Sequence, residues 1–235
     1  MQKSNPSVDG KNFITQQIRT LALIFPLIIF VIGCSSSKEP QNLHFAKRSI
    51  DQYFADTTLY LADVKNICGE AKSYIQENLD VSKRNAVLFD VDETLLITTE
   101  YIFNYDYGWS RDSWDAWIDS AKAVPIQPVL ELYHWVKSQG LTIFVITGRY
   151  PSISIANPDP TERNLLKVGY TGFEKLYLKP RDIKIPTSEY KLQIRKQLTE
   201  EGFNIIANFG DQESDFKGGY NGKSFKIPNP MYFTQ

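Results

Sequence analysis

The chain has 235 residues, 42% of them hydrophobic, with 26 basic and 27 acidic side chains and a formal net charge of −1. Near-neutral charge without a basic cluster gives no footprint for a polyanion, so no nucleic acid polymer is expected as a partner. Length and composition fit a globular chain with one embellished domain or two small ones.

Lys3, Lys11 and Arg19 precede an apolar run from Leu21 to Ile32. The run is well short of the ~20 residues that span a bilayer, and Pro26 interrupts it, which fits a signal-peptide core better than a permanent helix. It closes on a small residue and a cysteine, and "VIGC", Val31 to Cys34, resembles the lipobox of bacterial lipoproteins. That resemblance implies a leader over 1–33, lipidation at Cys34, and a tether over 34–44 that includes Ser35-Ser36-Ser37. The expected location is the cell envelope, with a lipid anchor in the membrane; in an organism with two membranes this means the outer membrane or a periplasm-facing position. With Cys34 acylated, Cys68 is left without an intramolecular disulfide partner. Cys68 lies on the apolar stripe of a helical pattern with Leu61, Val64, Ala71 and Ile75, which makes it a buried structural thiol.

Helical periodicity runs from Gln41 to about Leu79, as one short and one longer helix. Four apolar segments of strand length follow: Ala86–Phe89, Leu141–Thr147, Lys175–Leu178 and Asn204–Gly210. Between them, "PIQPVLELYHWVKSQG", "PTERNLLKVG" and "SEYKLQIRKQLTEEG" read as helices, each closed by a glycine. Strands that are apolar almost throughout, alternating with helices, predict an α/β fold: a Rossmann-like parallel sheet with helices on both faces. The assignment of helices to faces stays open.

Ligands in such sheets gather outside the carboxyl ends of the strands. Here the first strand runs into Asp90 and Asp92, the second into Thr147-Gly148-Arg149, and the last into "GDQESD", Gly210 to Asp215. The three polar ends converge on one edge, and the adjacent acids Asp90 and Asp92 call for a nearby cation.

"DVDETL", "VITGR", "YKLQIRKQL" and "NFGDQESDF" together resemble the haloacid dehalogenase superfamily, in its acid phosphatase branch of class C bacterial lipoprotein enzymes and plant acid phosphatases and storage proteins. The resemblance covers about Phe45 onward and implies a phosphatase domain over 45–235 with a small helical cap inserted at about 99–124. It also implies a Mg²⁺-dependent acid phosphatase acting on small phosphomonoesters, nucleoside monophosphates among them, through an aspartyl-phosphate. Asp90 would be the nucleophile and Asp92 the general acid/base, which must hold a proton to donate. Thr147, with hydroxyl and backbone N–H, Gly148 and Lys191 would bind the phosphoryl oxygens; Lys179, Lys184 and Lys196 are nearby competitors for the lysine role. The Mg²⁺ ligands would be the Asp90 side chain, the Asp92 carbonyl and Asp211, with Asp215 at the same site through water or hydrogen bonds. "GDQ" follows the plant-like members, where many class C enzymes have Asn or Thr after the aspartate. A non-enzymatic storage or binding lipoprotein, or a phosphotransferase, would use the same fold. Arg149 reads as a surface ion-pair partner outside the catalytic set, and His44 and His134 as bystanders. Trp114 and Trp117 are spaced to share a packed helix face, and packing between cap and base is the first reading of the other aromatics of the insert; the alternative is that some of Tyr101, Tyr105, Tyr107 and Trp109 line a leaving-group pocket and stack a base.

Overall fold

The computed structural model describes residues 40–234 apart from Asp56 and Ile155. The leader, Cys34 and the first part of the tether lie outside the described residues. The chain divides into two compact units, Met1–Ala46 and Lys47–Gln235. Helix α1 (Leu43–Ala55) begins in the first, and all that follows concerns the second. No helix among the described residues is long and apolar enough to cross a membrane.

Helix α2 (Thr57–Asn78) leads into strand β1 (Arg84–Phe89), where Ala86 to Phe89 are fully buried. Strands β4 (Thr142–Ile146), β5 (Lys175–Tyr177), β6 (Phe203–Gly210) and β7 (Lys223–Lys226) complete a five-stranded sheet in the order β5-β4-β1-β6-β7. Every pairing in it is parallel. The chain runs outward on one side of β1 through β4 and β5, then returns to the other side through β6 and β7. The strand order therefore reverses at β1/β6, the place where a parallel sheet opens a crevice at its carboxyl ends.

Alternation along β1 settles the faces. Val87 and Phe89 join the larger core, which also holds Val64, Ala71 and Ile75 of α2 and Val129, Tyr133 and Val136 of helix α5 (Gln127–Ser138). Ala86 and Leu88 pack on the opposite face with Phe144, Ile146 and the Tyr190 and Leu198 side chains of helix α7 (Thr187–Glu200). Each large apolar side chain so buried contributes about 1.5–3 kcal/mol, which makes two-faced burial of β1 the main anchor of the sheet. Cys68 is in the larger core, and burial pushes its thiol up to about 12, so it is structural.

Edge strand β7 carries no strand signal in sequence: "KSFK" has one buried side chain, Phe225, between exposed lysines. Its place is fixed by an aromatic ladder in which Phe89 stacks on Phe209 (4.7 Å) and Phe209 on Phe225 (5.1 Å). The lysines blunt the open edge.

Between β1 and α5 a two-residue ribbon, β2 (Leu96–Ile97) against β3 (Val124–Pro125), pinches the base of an excursion. The excursion carries helices α3 (Thr99–Asn104) and α4 (Arg111–Ser120). Helix α6 (Pro160–Lys167) starts at Asp159, whose carboxylate accepts the Thr161 N–H at 2.8 Å.

Candidate active site

Asp90 follows β1 directly, and its N–H donates to the Phe209 carbonyl on β6, so sheet hydrogen bonding sets the aspartate's backbone. Its Oδ1 lies 2.5 Å from Lys191 Nζ, which also donates to Asp215 Oδ1. All three side chains are buried. The competing lysines are engaged elsewhere: Lys179 with the Ile185 carbonyl (2.6 Å), Lys184 with that of Arg181 (3.3 Å), and Lys196 over the Tyr220 ring (5.6 Å). Lys191 and Arg195 lie one turn apart on α7 and share a face. Arg195 gathers the carbonyls of Asp215 (2.7 Å), Lys217 (2.5 Å) and Gly219 (2.9 Å), which fastens the loop after β6 beneath the lysine.

That loop is held tightly at its start. Asp215 Oδ2 accepts the Gln212 N–H at 2.9 Å, and Asn208, a buried amide within β6, donates to the Asp215 carbonyl at 2.8 Å. A Cβ on Gly210 would collide with Asp215 Oδ2, so only glycine lets the carboxylate fold back over the strand end. Oxygens of Asp90, Asp211 and Asp215 lie within 4.8 Å of one another.

Three buried carboxylates against one ammonium leave this cluster two negative charges in excess (3 − 1). The imbalance shows in protonation. Burial drives the Asp90 carboxyl well above the usual carboxylate range, Lys191 opposes this, and Asp215, Asp211 and Asp92 add to it. Asp211 is pushed up to about 8 by burial and then by Asp215 and Glu93, with amide donors from Asn229 and Gln212 pulling the other way. Burial works against the Lys191 ammonium, but Asp215 and Asp90 outweigh it and hold it protonated. An all-oxygen donor set with a surplus of about two charges is what a hard divalent cation requires, so the residues present fit such an ion.

Asp92 is held apart from that cluster. Its carboxylate accepts from Arg149 Nη2 (2.6 Å, Oδ1) and from Nε (3.1 Å to each oxygen). Arg149 is 3% exposed, with its guanidinium 5.8 Å from the centre of the Trp114 ring on α4. This corrects the reading of Arg149 as a surface partner: it is a buried cation that anchors one of the two acids. The signal available in sequence is its place two residues past Thr147, on the edge where the acids end.

Thr147 is fully buried and its Oγ1 accepts the Arg149 N–H at 3.1 Å. Its own N–H donates to the Tyr177 carbonyl at 3.0 Å, in the ladder with β5. The expectation that this N–H would serve a phosphoryl oxygen is therefore overturned; the hydroxyl proton remains free to donate. Gly148 sits tightly under α7, where a Cβ would meet Thr187 Cγ2 at 2.8 Å.

Sequence reasoning misses the residue after Asp92. Glu93 is fully buried with φ +50°, accepts from the Thr98 N–H (2.8 Å) and hydroxyl, and from the Tyr232 hydroxyl. Burial and then Asp92 raise its carboxyl to about 7, against those bonds.

The aromatics of the excursion separate. Tyr101 is 1% exposed and packs against Trp114 (4.9 Å) and Trp117 (6.1 Å), so it is a core residue and not a pocket wall. Tyr107 donates to Asp51 at 2.7 Å and fastens the excursion to α1. Tyr105 and Trp109 alone of the four stand exposed, the latter under the Arg111 guanidinium (4.8 Å).

Comparison with known proteins places this geometry. Residues 31–235 match the family model for the HAD superfamily, subfamily IIIB (acid phosphatase). The chain is 34% identical to the stem 28 kDa glycoprotein of Glycine max over 183 residues (75% of this chain, 70% of the relative). It is 32% identical to vegetative storage protein 1 of Arabidopsis thaliana over 193 residues (80% and 70%), and 34% identical to acid phosphatase 1 of Solanum lycopersicum over 180 (74% and 69%). Among solved structures, the class C acid phosphatase of Bacillus anthracis with tungstate bound shares the fold at TM-score 0.65, with 20% identity over 81% of this chain and 86% of that one. The chain belongs to the HAD superfamily, subfamily IIIB, the acid phosphatases, and is a phosphomonoester hydrolase of that family.

Proposed function

We propose that this enzyme is a Mg²⁺-dependent acid phosphatase that releases phosphate from small monoesters, nucleoside monophosphates among them, by way of a phosphoryl group carried on Asp90. The observation that supports this reading best is the junction of Asp90 with Lys191 at 2.5 Å, beside two further buried carboxylates, at the crevice between β1 and β6. An Asp90 oxygen attacks phosphorus as the bond to the leaving oxygen breaks, and Asp92 supplies that oxygen with a proton. Asp92 then takes a proton from the water that attacks the phosphoryl group and frees Asp90. Asp92 Oδ2 accepts one bond from Arg149 where Oδ1 accepts two, so Oδ2 is the oxygen better able to carry the proton. Lys191 offsets charge on Asp90 and the phosphate, and the Thr147 hydroxyl and Gly148 N–H orient the phosphoryl oxygens. The Asp90 side chain, the Asp92 carbonyl and Asp211 would hold Mg²⁺, with Asp215 supporting from the side. When bound, the ion neutralises charge on the transferring oxygens.

The excursion over 99–124 acts as a small cap, with Tyr105 and Trp109 its open aromatics toward a leaving group. Cys34 carries the lipid that holds the enzyme in the cell envelope; radiolabelled palmitate incorporation, lost in Cys34→Ala, is the expected result. The test is turnover of p-nitrophenyl phosphate and of nucleoside, sugar and aryl monophosphates, with Mg²⁺ and after EDTA. Turnover abolished by EDTA and restored by Mg²⁺ supports the reading. An inert metal-loaded protein would point to a storage role, and full activity in EDTA would remove Mg²⁺ from the account.

A further inference from the structure

We infer that Gln212 and Asn229 are positioning residues that aim Asp211, and that metal binding and the docking of the segment after β7 strengthen one another. This inference rests on the metal reading proposed above.

Two amides converge on one oxygen of Asp211: Gln212 Nε2 at 2.5 Å and Asn229 Nδ2 at 2.7 Å, both on Oδ2. Asp211 is 2% exposed and Gln212 7%, so both are shielded from water. The opposite end of each amide is also engaged. Gln212 Oε1 accepts the Thr234 N–H at 3.0 Å, and Asn229 Oδ1 accepts the Met231 N–H at 2.9 Å. A backbone N–H only donates, so each amide oxygen faces its N–H partner and each NH2 group faces Asp211, which fixes both amide orientations.

Each carboxamide therefore couples the backbone of the segment to the rotation of the Asp211 carboxylate. With Oδ2 committed twice, Oδ1 is the oxygen left to face an ion. The segment has two further moorings. The Ile227 N–H donates to the Gly210 carbonyl at 2.8 Å, and the Tyr232 hydroxyl donates to the Glu93 carboxylate. The glutamine of "GDQ" thus joins the strand end that carries Asp211 to a segment of no regular secondary structure. By linkage, whatever the docked segment contributes to ion binding, the ion returns to segment docking.

The test uses the full chain and Mg²⁺ alone, without substrate. Titration calorimetry of the wild type and Asn229→Ala should show a dissociation constant about 10–100-fold weaker in the variant, the usual effect of losing a bond that orients a metal ligand. In the wild type, Mg²⁺ should slow hydrogen exchange at the Met231 and Thr234 amides several-fold. A purely structural Asn229 would lower the melting temperature in EDTA yet leave the dissociation constant unchanged, and that result overturns the inference. Exchange at these amides that ignores Mg²⁺ overturns it as well, and needs no variant to fold. If the wild type binds no Mg²⁺ at all, the metal reading itself fails. If it binds and the variant binds equally, only the positioning role fails.

Discussion

Metal-free protein should lose stability as pH rises from 5 to 7. The slope of unfolding free energy with pH follows the protons bound in the unfolded state minus those bound in the folded state. Asp211 ionises at 3.8 in an unfolded chain and at about 8 in the fold; for Glu93 the values are 4.5 and about 7. Across the window from about 4 to about 8 the folded state therefore holds the extra proton, and stability falls with rising pH. One such group costs about 1.4 kcal/mol per pH unit, or about 3 kcal/mol between pH 5 and 7. The two interact with each other, so together they contribute less than twice that. Urea denaturation in EDTA at pH 5, 6 and 7 reads this directly, since about 3 kcal/mol is a large share of a typical 5–15 kcal/mol. Mg²⁺ replaces the bound protons, so its stabilisation should be larger at pH 7 than at pH 5, near 2.7 kcal/mol at a hundredfold excess over its dissociation constant. Stability in EDTA that is level or rises from pH 5 to 7 refutes the charge surplus on which the metal site rests.

Substitutions at three positions probe the rest of the site. Asp211→Asn should weaken Mg²⁺ binding by at least about tenfold, with turnover partly rescued at high Mg²⁺; a Mg²⁺ titration of initial rate checks it. Arg149→Met strands the Asp92 carboxylate and should lower stability by about 3 kcal/mol, with Arg149→Lys recovering part of the stability and, for lack of the two-pronged contact, little of kcat; paired denaturation and rate measurements separate the two. Gly210→Ala pushes a methyl group into Asp215 and should destabilise by about 1–3 kcal/mol while raising the Mg²⁺ requirement, read from melting temperature and Mg²⁺ titration.

What is legible in sequence follows from how local each signal is. The run from Ala86 to Phe89 is buried on both faces, so its apolar content alone marks a central strand. The polar ends of β1, β4 and β6 meet because parallel strands share a carboxyl edge, which brings Asp90, Thr147 and Asp211 to one region without any long-range inference. Lys191 and its pairing with Asp90 are reachable through the motifs, while its second partner, Asp215, needs the fold. The hidden elements are those whose patterns are set by tertiary contacts. Strand β7 buries only Phe225, and the segment from Asn229 to Thr234 has no periodicity because, apart from the Met231 N–H on Asn229, its side-chain bonds run to Gln212, Asp211 and Glu93. Arg149 misleads because a charged residue after a strand usually faces water; here Asp92 and Trp114 enclose it. Tyr101 misleads because an aromatic-rich excursion does not show in sequence which rings its own helices will bury.

The central claim is that Asp90 takes up the phosphoryl group. Rapid acid quench of turnover with ³²P-labelled substrate tests it most directly. The expected result is acid-stable, hydroxylamine-sensitive label on the peptide that carries Asp90, absent in a folded Asp90→Asn variant whose turnover falls by about 10⁴-fold or more. Turnover in the wild type with no trapped label, or label and activity retained in Asp90→Asn, would contradict it.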